Sequence, residues 1–395
     1  MKIAHIADAH WGLGYPGPKP ESRFEDITNV MDWAAEKIIE SNCELVLFAG
    51  DAFKDAKVML DRATPEIMAF VKWLRKLSNA GIPVVVISGT PSHDAVSAYE
   101  LIREMAIPGV QIMTRPGIAE ACGWKVACLP GLNRSQIVTR EEFRTLQPHE
   151  IHRIMTEKLR DMCWGLKAKG VDVLLSHMTL AGSDTGFDDF LMEHEPVLSH
   201  EAVSHFPLVC LGHIHRPQSV PVGSASMAYY SGAPERHSFN DEAVTPGFWI
   251  HDTEKGQSEF IETPARPFLT IDIHGMDSQI FQAFTSSYGE GWDLFDSTIS
   301  LKNAMVRVRW ACTEEQAAQV DRKALEASLY AAGAFFVTEI RLDAAKSERS
   351  RDSEVTESLG PVQAVERWGF AHGKTEGEIG VLQSLTARLV EEVRS

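Results

Sequence analysis

The sequence has few cysteines, no long apolar run and no excess of positive charge. Its six cysteines are scattered without a C-x-x-C pair, which argues against a disulfide framework or a zinc knuckle and favours reduced thiols. No window approaches the roughly 20 apolar residues of a membrane span. A formal net charge of -17 excludes a protein that coats nucleic acid by bulk attraction. These shortages predict a cytoplasmic globular protein with no membrane segment.

The apolar residues that are present follow an alternating pattern of strands and helices. The chain has 395 residues, of which 44% are hydrophobic, so two or three domains are expected. Short β-rich runs such as "ELVLFAGD" and "IPVVVISG" alternate with segments of helical period. This rhythm predicts a layered α/β domain. Further on, "MAYYSGAPE", "GFWIHDT" and "SEFIETP" are interpreted as a β-meander.

Two changes of composition suggest domain boundaries. The first is "TPARP" at residues 263–267, where two prolines three apart stop a strand and stiffen a linker. The second is "AAKSERSRDSEVTESLG", a charged segment without apolar period. We therefore predict a main domain over residues 1–265, a small α+β cap domain over residues 266–343, and a connector with C-terminal helices over residues 344–395.

The last predicted helix carries one apolar face. Its members are Ile379, Leu382, Leu385, Leu389 and Val393. A face of this kind docks either on the same protein or on a partner helix, and the pattern leaves both possibilities open.

Acidic and imidazole side chains recur where predicted strands end. The segments are "HIADAH" with Asp8 and His10, "LFAGD" with Asp51, "SGTPSHD" with His93, "VLLSH" with His177, and "CLGHIH" with His213 and His215. Loops after the carboxyl ends of strands are the usual place for a site in an α/β fold. Carboxylate oxygens and imidazole nitrogens are ligands for divalent metals. Eight other histidines are interpreted as surface or packing residues: His149, His152, His194, His200, His205, His251, His274 and His372.

Together, D8-x-H10, G50-D51, the "SGTPSHD" segment, H177 and G212-H213-x-H215 resemble the motifs of the calcineurin-like metallophosphoesterase superfamily. The stretches "GHIHRPQ" and "YYSGAPERHSF" are similar to those of its SbcD nuclease family. The resemblance covers roughly residues 1–265. It implies a layered β-sandwich flanked by helices, with the cap domain and the helical tail added to it.

The resemblance also implies a site for two divalent metal ions, with Mn expected and Mg possible. The implied ligands are Asp8, His10 and His215 for one ion, His177 and His213 for the other, and Asp51 as the bridge. His93 would lie beside the ions as the catalytic residue that stabilises the transition state or protonates the leaving oxygen. Asp94 would orient His93.

The third motif departs from the superfamily pattern G-N-H-[DE]. Ser92 stands where the family has an Asn ligand of the second ion, and Thr90 and Pro91 lengthen the turn. A hydroxyl is a poorer metal ligand than an amide oxygen. The second ion is therefore expected to be completed by Ser92, by Thr90 or by water.

The resemblance implies a Mn-dependent DNA nuclease with exonuclease and endonuclease capacity. It would act on double-strand ends, hairpins or single-strand regions as a homodimer with an SbcC-type coiled-coil ATPase. Three alternatives stay open at this point: a phosphatase or nucleotide phosphodiesterase, a DNA-end-binding scaffold with weakened catalysis, and a hydrolase with a single metal ion.

Overall fold

A computed structural model describes residues 1–56, 60–92, 94–139, 141, 144, 146–186, 195–224, 226–274, 300–318, 320–345 and 359–394. Its strands are β1 (Lys2–Ile6), β2 (Leu45–Ala49), β3 (Val84–Ile87), β4 (Val110–Met113), β5 (Gly117–Ala121), β6 (Trp124–Leu129), β7 (Val173–His177), β8 (Thr179–Leu180), β9 (Val197–Leu198), β10 (Leu208–Gly212), β11 (Gln218–Pro221), β12 (Met227–Tyr230), β13 (Gly247–Asp252), β14 (Gln257–Glu262), β15 (Phe268–His274), β16 (Met305–Thr313) and β17 (Phe336–Ala345).

The helices of the described residues alternate with many of these strands. They are α1 (Glu21–Glu40), α2 (Leu60–Asn79), α3 (Val96–Glu104), α4 (Arg134–Ile137), α5 (Pro148–Lys167), α6 (His200–Val203), α7 (Glu314–Ala317), α8 (Arg322–Ala331), α9 (Pro361–Ala371) and α10 (Glu376–Arg394). None of these helices is both long enough and apolar enough to cross a membrane.

Two mixed six-stranded sheets form the centre of the fold. The first has the strand order β14-β13-β1-β2-β3-β4, and β1 to β4 run parallel. The second has the order β11-β12-β10-β7-β6-β5, with parallel pairing from β6 through β12. Parallel strands present all their carboxyl ends at one edge of a sheet. This arrangement confirms the predicted layered α/β fold with two sheets flanked by helices.

The central strands of both sheets, such as β2, β3 and β7, are buried on both faces, which explains their nearly continuous apolar sequences. In β2, Leu45 and Leu47 point into the core between the sheets. Val46 and Phe48 point the other way, into a core shared with α1, α2 and α3. A separate cluster packs α5 and its neighbours against the second sheet. The order of layers is therefore helix, sheet, sheet, helix.

A parallel three-stranded sheet follows Pro267, in the order β15-β16-β17. It has its own apolar core, which includes Trp310, Leu325 and Leu329. The boundaries of the three predicted domains stay predictions. The sequence between "FLTIDIH" and "AMVRVRW" predicts a short helix, but residues 275–299 lie outside the described part of the chain.

Two predictions of secondary structure were wrong in detail. The proposed meander does not exist as one unit, because β12 pairs with β10 and β11 in the second sheet while β13 and β14 extend the first. The segment "TEEQAAQVDRKALEASLYAAG" predicts a single helix, but it forms the two helices α7 and α8. Asp321 caps the start of α8 by accepting hydrogen bonds from the backbone N–H groups of Lys323 and Ala324.

Buried charges join the three-stranded sheet to the first helix. The Arg23 guanidinium is fully buried and donates to Asp26 Oδ2 at 2.7 Å. Arg266, just before β15, donates to both oxygens of Asp26 at 2.8 and 2.5 Å. Arg23 also contacts Glu235 Oε1 at 3.5 Å. Fully desolvated charges need such partners, so these contacts fix how the chain enters β15.

The space between the two large sheets contains a polar group as well as apolar residues. His5 and His251 stack with ring centroids 5.7 Å apart, and Tyr229 from the other sheet lies 4.8 Å from His251. His251 is 2% exposed. Burial lowers the pKa of His251 from 6.5 to about 3. The folded protein therefore keeps this imidazole neutral under mildly acidic conditions.

His251 should make the stability of the protein depend on pH. Its folded pKa lies below its unfolded pKa, so its contribution is complete above about pH 6.5 and is lost progressively as the pH falls toward about 3. Between about pH 7.5 and pH 5 the wild type should lose about 2 kcal/mol more unfolding free energy than the His251→Phe variant. Urea denaturation at both pH values measures this difference. The exposed His149→Phe variant should follow the wild type; equal losses in all three proteins would contradict the assignment.

Candidate metal centre

The predicted site residues lie where the two large sheets end. Asp8 and His10 follow β1, Asp51 follows β2, His177 ends β7, and His213 follows β10. Four of them are buried: Asp8, Asp51 and His177 are at most 1% exposed, and His10 is 8% exposed. Because the carboxyl ends of both parallel sets face the same edge, residues far apart in sequence come together here.

Four predicted site residues have a backbone conformation that is unfavourable for residues other than glycine. Asp8, His10, Asp51 and His213 all have left-handed φ angles, of 55°, 48°, 52° and 95°. Such conformations cost on the order of 1 kcal/mol each for residues other than glycine. Hydrogen bonds between the loops stabilise them: Asp8 N donates to Gly50 O at 3.0 Å, and His10 N donates to Asp51 O at 3.1 Å. The strain is typical of a functional site.

Gly89 lets the third loop lie against Asp51. A Cβ atom on Gly89 would lie 1.7 Å from Asp51 Oδ1, so any larger residue would displace that carboxylate. The next residue, Thr90, donates its backbone N–H to the same oxygen at 3.1 Å. Loop and carboxylate therefore fit together closely.

The Asp51 carboxylate faces two groups of side chains at once. Its Oδ2 atom lies 3.5 Å from His10 Nε2, and its Oδ1 atom lies 3.3 Å from His177 Nε2. Potential ligand atoms of Asp8, His10 and Asp51 lie within 4.8 Å of one another, as do those of Asp51, His177 and His213. Asp51 is the member common to both groups. A carboxylate in this position has the geometry of a bridging ligand.

His213 is held on two sides. Its backbone N–H donates to both oxygens of Asp8 at 3.1 and 3.0 Å. Its Nε2 atom lies 2.8 Å from Glu195 Oε2. Sequence reasoning missed Glu195, since no motif or strand end pointed to it. This carboxylate adds negative charge beside the group of Asp51, His177 and His213.

A third histidine accompanies His10 and His215. The ring of His237 lies 4.6 Å from that of His10 and 4.4 Å from that of His215, in edge-to-face contacts. Potential ligand atoms of all three lie within 4.8 Å of one another. Sequence reasoning did not single out His237, although it lies in the quoted stretch "YYSGAPERHSF". It lies seven residues beyond the end of β12, too far for a rule based on strand ends.

The charges of the cluster act differently on its histidines. Burial by itself lowers the pKa of His177, but the neighbouring Asp51 and then Asp8 outweigh burial and raise it to about 10. Burial lowers the pKa of His215 and, more strongly, that of His237. The field that holds a proton on His177 favours any cation at that place, and neutral imidazoles are the form that binds metals.

Residues 1–217 match the model of the calcineurin-like phosphoesterase family. The match covers more than half of the chain. This chain belongs to the calcineurin-like phosphoesterase family.

The chain is also similar to one curated protein and to two solved structures. It is 26% identical over 275 residues to the SbcD component of the nuclease SbcCD of Bacillus subtilis (strain 168), covering 65% of this chain and 67% of that protein. Among solved structures, a dimetal phosphatase from Danio rerio aligns with 67% of this chain and 96% of its own, at 10% identity and a TM-score of 0.40. A protein from Sinorhizobium meliloti 1021 aligns with 43% of this chain and 51% of its own, at 14% identity and a TM-score of 0.21.

The cluster of this phosphoesterase fits two divalent metal ions. Its donors are imidazole nitrogens and carboxylate oxygens, a set that suits several divalent metals. Asp51 is shared between the two groups. Within the described part of the chain, the buried Nε2 atom of His237 has no hydrogen-bond partner, as expected of a nitrogen available to a ligand. Which residue binds which ion stays a prediction.

The third motif is described only in part. His93, the predicted catalytic histidine, lies outside the described residues. Asp94 is fully buried, and its oxygens accept hydrogen bonds from the backbone of Gly89 at 2.7 Å, Ala95 at 3.0 Å and Phe53 at 3.2 Å. Asp94 therefore ties the second and third loops together, whatever it does for His93. Burial, and then the charge of Asp51, raises the pKa of Asp94 to about 7.

Ser92 and Thr90 occupy different environments. Ser92 is exposed at the turn, whereas Thr90 is 7% exposed and contacts Asp51 through its backbone. The expectation that Ser92, Thr90 or water completes the ligands of the second ion stays a prediction. The backbone contact of Thr90 with Asp51 places Thr90 beside the cluster.

Replacing Asp94 should destabilise the metal-free protein. In Asp94→Ala, the buried N–H groups of Gly89, Phe53 and Ala95 lose their acceptor, so the unfolding free energy should fall by about 3 kcal/mol. Asp94→Asn keeps one acceptor oxygen and should lose less. Urea denaturation with a chelator present measures both values. Asp55→Ala, at an exposed position of the neighbouring loop, is the control; an equally small loss in both alanine variants would contradict this account.

Proposed function

We propose that this protein is a Mn-dependent DNA nuclease, the nuclease subunit of an SbcCD-like complex for DNA repair and recombination. The observation that carries the proposal is the position of Asp51, whose two oxygens face separate groups of potential ligands. The similarity to a nuclease subunit from Bacillus subtilis supports a nucleic acid as the substrate. Exonuclease and endonuclease capacity at DNA ends or hairpins belongs to the same proposal.

The proposed ligands divide into two sets around Asp51. They are Asp8, His10 and His215 for the first ion, and His177, His213 and a third-motif group such as Thr90 or Ser92 for the second. Two divalent ions held by these residues would supply an activated water and charge stabilisation for the hydrolysis of a phosphodiester.

The chain's own residues position and protect this chemistry. Burial of Asp8, Asp51 and His177 keeps the carboxylates out of water. Electrostatic interactions are stronger in the protein interior because its dielectric constant is lower. In the proposal, the His93 imidazole donates a proton to the leaving oxygen or stabilises the charge that develops on the phosphate. Asp94, the residue after His93 in the sequence, fixes the third loop through its bonds to Gly89 and Phe53.

DNA contacts must be local in a chain of net charge -17. Lys54 is an exposed cation three residues after Asp51, and its backbone N–H donates to Trp11 O at 3.0 Å, next to the loop of His10. In the three-stranded sheet, Arg307 packs on Phe239 at 4.3 Å and donates to Thr270 Oγ1 at 2.7 Å. Arg309 is exposed. Lys54 and Arg309 are therefore the proposed phosphate contacts, whereas Arg307 stabilises the fold.

The nuclease proposal predicts metal-dependent cleavage of DNA. Purified protein should cut labelled linear and hairpin DNA with Mn²⁺, and a chelator should stop the reaction. Asp51→Asn should lose cleavage because the shared carboxylate is removed. His93→Ala should retain metal but lose roughly 10²- to 10⁴-fold in rate, the usual contribution of a proton donor. Asp55→Asn, at an exposed carboxylate in the same loop, is the matched control.

Each alternative gives a different result in that experiment. Absence of metal-dependent cleavage by the wild type, even with its ATPase partner, would refute the nuclease. Hydrolysis of p-nitrophenyl phosphate without DNA cleavage would identify a phosphatase, and end binding without cleavage a scaffold. One bound metal equivalent with full cleavage would replace the two-ion site by a single-ion site. Equal rates for the wild type and His93→Ala would remove His93 from the mechanism.

The C-terminal helices support the proposed ATPase partner. Ile379 is 3% exposed and packs so closely against Gly369 of α9 that a Cβ there would lie 2.6 Å from its Cγ1 atom. Farther along α10, Leu385, Leu389 and Val393 are 51%, 58% and 88% exposed. The predicted apolar face therefore has two parts. Ile379 packs on α9 of this chain, whereas the exposed residues farther along α10 are proposed to bind the coiled coil of an SbcC-type ATPase. The active complex is proposed to contain a homodimer of the nuclease.

Charges placed on the exposed part of α10 should weaken that complex. The double variant Leu385→Glu, Leu389→Glu should bind the coiled coil of the ATPase at least about tenfold more weakly, because two apolar anchors are lost. Calorimetry with the purified coiled coil measures this. Ser384→Glu with Ala387→Glu adds the same charge to the opposite side of the helix and should bind normally. Unchanged affinity of the leucine variant would refute this docking face.

A further inference from the structure

We infer that His237 is an additional ligand of the first metal ion and that it shifts this site's preference toward metals that favour imidazole, such as Zn²⁺ and Co²⁺, relative to Mn²⁺. The inference rests on the two-ion site of the proposed function. It goes beyond that proposal, which gives this ion only Asp8, His10, His215 and the shared Asp51.

Three observations place His237 at the site. Its ring contacts both His10 and His215, with centroids 4.6 and 4.4 Å away. Ligand atoms of these three histidines lie within 4.8 Å of one another. The side chain is 8% exposed, and its Nε2 atom has no hydrogen-bond partner among the residues that the structure describes. A buried nitrogen left without a partner costs free energy, so a bound ion would relieve that cost.

The loop that carries His237 is held against the His215 segment by close backbone contacts. Gly232 has a φ of 69°, and a Cβ on it would lie 2.7 Å from His215 O. The next residue, Ala233, donates its N–H to the same His215 oxygen at 3.1 Å. The segments that carry His215 and His237 are thus fixed relative to each other.

Side chains on both sides of His237 hold its backbone. Asp241 Oδ2 accepts the N–H groups of His237 and Ser238 at 2.9 and 3.1 Å, and Asp241 Oδ1 lies 3.9 Å from His215 Nδ1. Just before His237, the backbone oxygen of Arg236 accepts a hydrogen bond from the buried Arg23. One carboxylate therefore fixes the backbone at His237 and places negative charge near the ring of His215.

The chemistry of the donors gives the expected metal preference. Carboxylate and water ligands suit Mn²⁺ and Mg²⁺, whereas imidazole suits Zn²⁺ and other later first-row metals. With His237, the first ion has three imidazoles instead of two. The additional nitrogen should therefore strengthen Zn²⁺ and Co²⁺ binding more than Mn²⁺ binding.

The test compares metal binding by the full-length protein and its His237→Phe variant. Phenylalanine keeps an aromatic ring against His10 and His215 but cannot bind a metal. Calorimetry with Zn²⁺ and with Mn²⁺ gives the affinities, and the visible spectrum of Co²⁺ reports coordination number. The Zn²⁺ affinity of one of two sites should fall at least about tenfold, the loss typical of even the groups behind metal ligands. Mn²⁺ affinity should fall less, and the Co²⁺ spectrum should change.

Two further variants complete the design. His237→Cys supplies another ligand of Zn²⁺ and Co²⁺ and should recover binding that His237→Phe loses. His205→Phe removes an exposed histidine and controls for adventitious binding. Thermal unfolding without metal checks that each variant is folded. If His237→Phe does not fold, the test depends on His237→Cys, whose Co²⁺ complex must then show a thiolate charge-transfer band.

The outcomes separate this inference from the proposed function. Wild-type Zn²⁺ affinity and an unchanged Co²⁺ spectrum in His237→Phe would make His237 a packing residue and overturn the inference, whether or not the protein cuts DNA. The expected loss of Zn²⁺ binding would support the inference even if no DNA cleavage occurred. A wild type that binds no metal would overturn both.

Discussion

The carboxylate of Asp51 is the contact on which the rest of the site depends. It is supplied by the first sheet, receives the backbone N–H of Thr90 at 3.1 Å, and faces His177 of the second sheet at 3.3 Å. Gly89 leaves just enough room for it, because a Cβ there would overlap Oδ1. The two sheets and the third loop therefore have to keep their relative positions for Asp51 to face both groups of ligands. The packed core between the sheets supplies that rigidity.

Strain and charge at this edge are two aspects of one arrangement. Asp8, His10, Asp51 and His213 have left-handed backbones, which turn their side chains toward a common centre at a cost in conformational energy. Two buried carboxylates also repel each other unless a positive group lies between them. The raised pKa of His177 is a sign of this negative field. Bound cations would balance the same charge, so the arrangement is best understood as built around metal ions.

A second buried network links this edge to the three-stranded sheet. Asp26 on the first helix joins Arg23 to Arg266, and Glu235 accepts the backbone N–H groups of Arg236 and Arg266 at 2.9 and 3.2 Å. Arg236 immediately precedes His237, and Arg266 lies just before β15. These contacts form a continuous route from the segment before β15 to the loop that carries His237. The route consists of hydrogen bonds between charged groups, which have strict geometry.

The sequence by itself determined the layered α/β class, most of the strands, and the set of acidic and imidazole residues at strand ends, because each depends on local period or on position beside a strand. It could not determine that β12 and β13 belong to different sheets, since pairing partners are chosen by long-range packing. It also missed Glu195 and His237, which lie beyond the strand ends and reach the cluster only when their loops fold back. Tertiary structure alone decided that Asp51 faces both groups and that Asp94 joins two loops through backbone bonds. The physical reason is that a sequence motif identifies the residues that carry donor atoms, whereas the distances between those atoms depend on how the two sheets and their loops pack against each other.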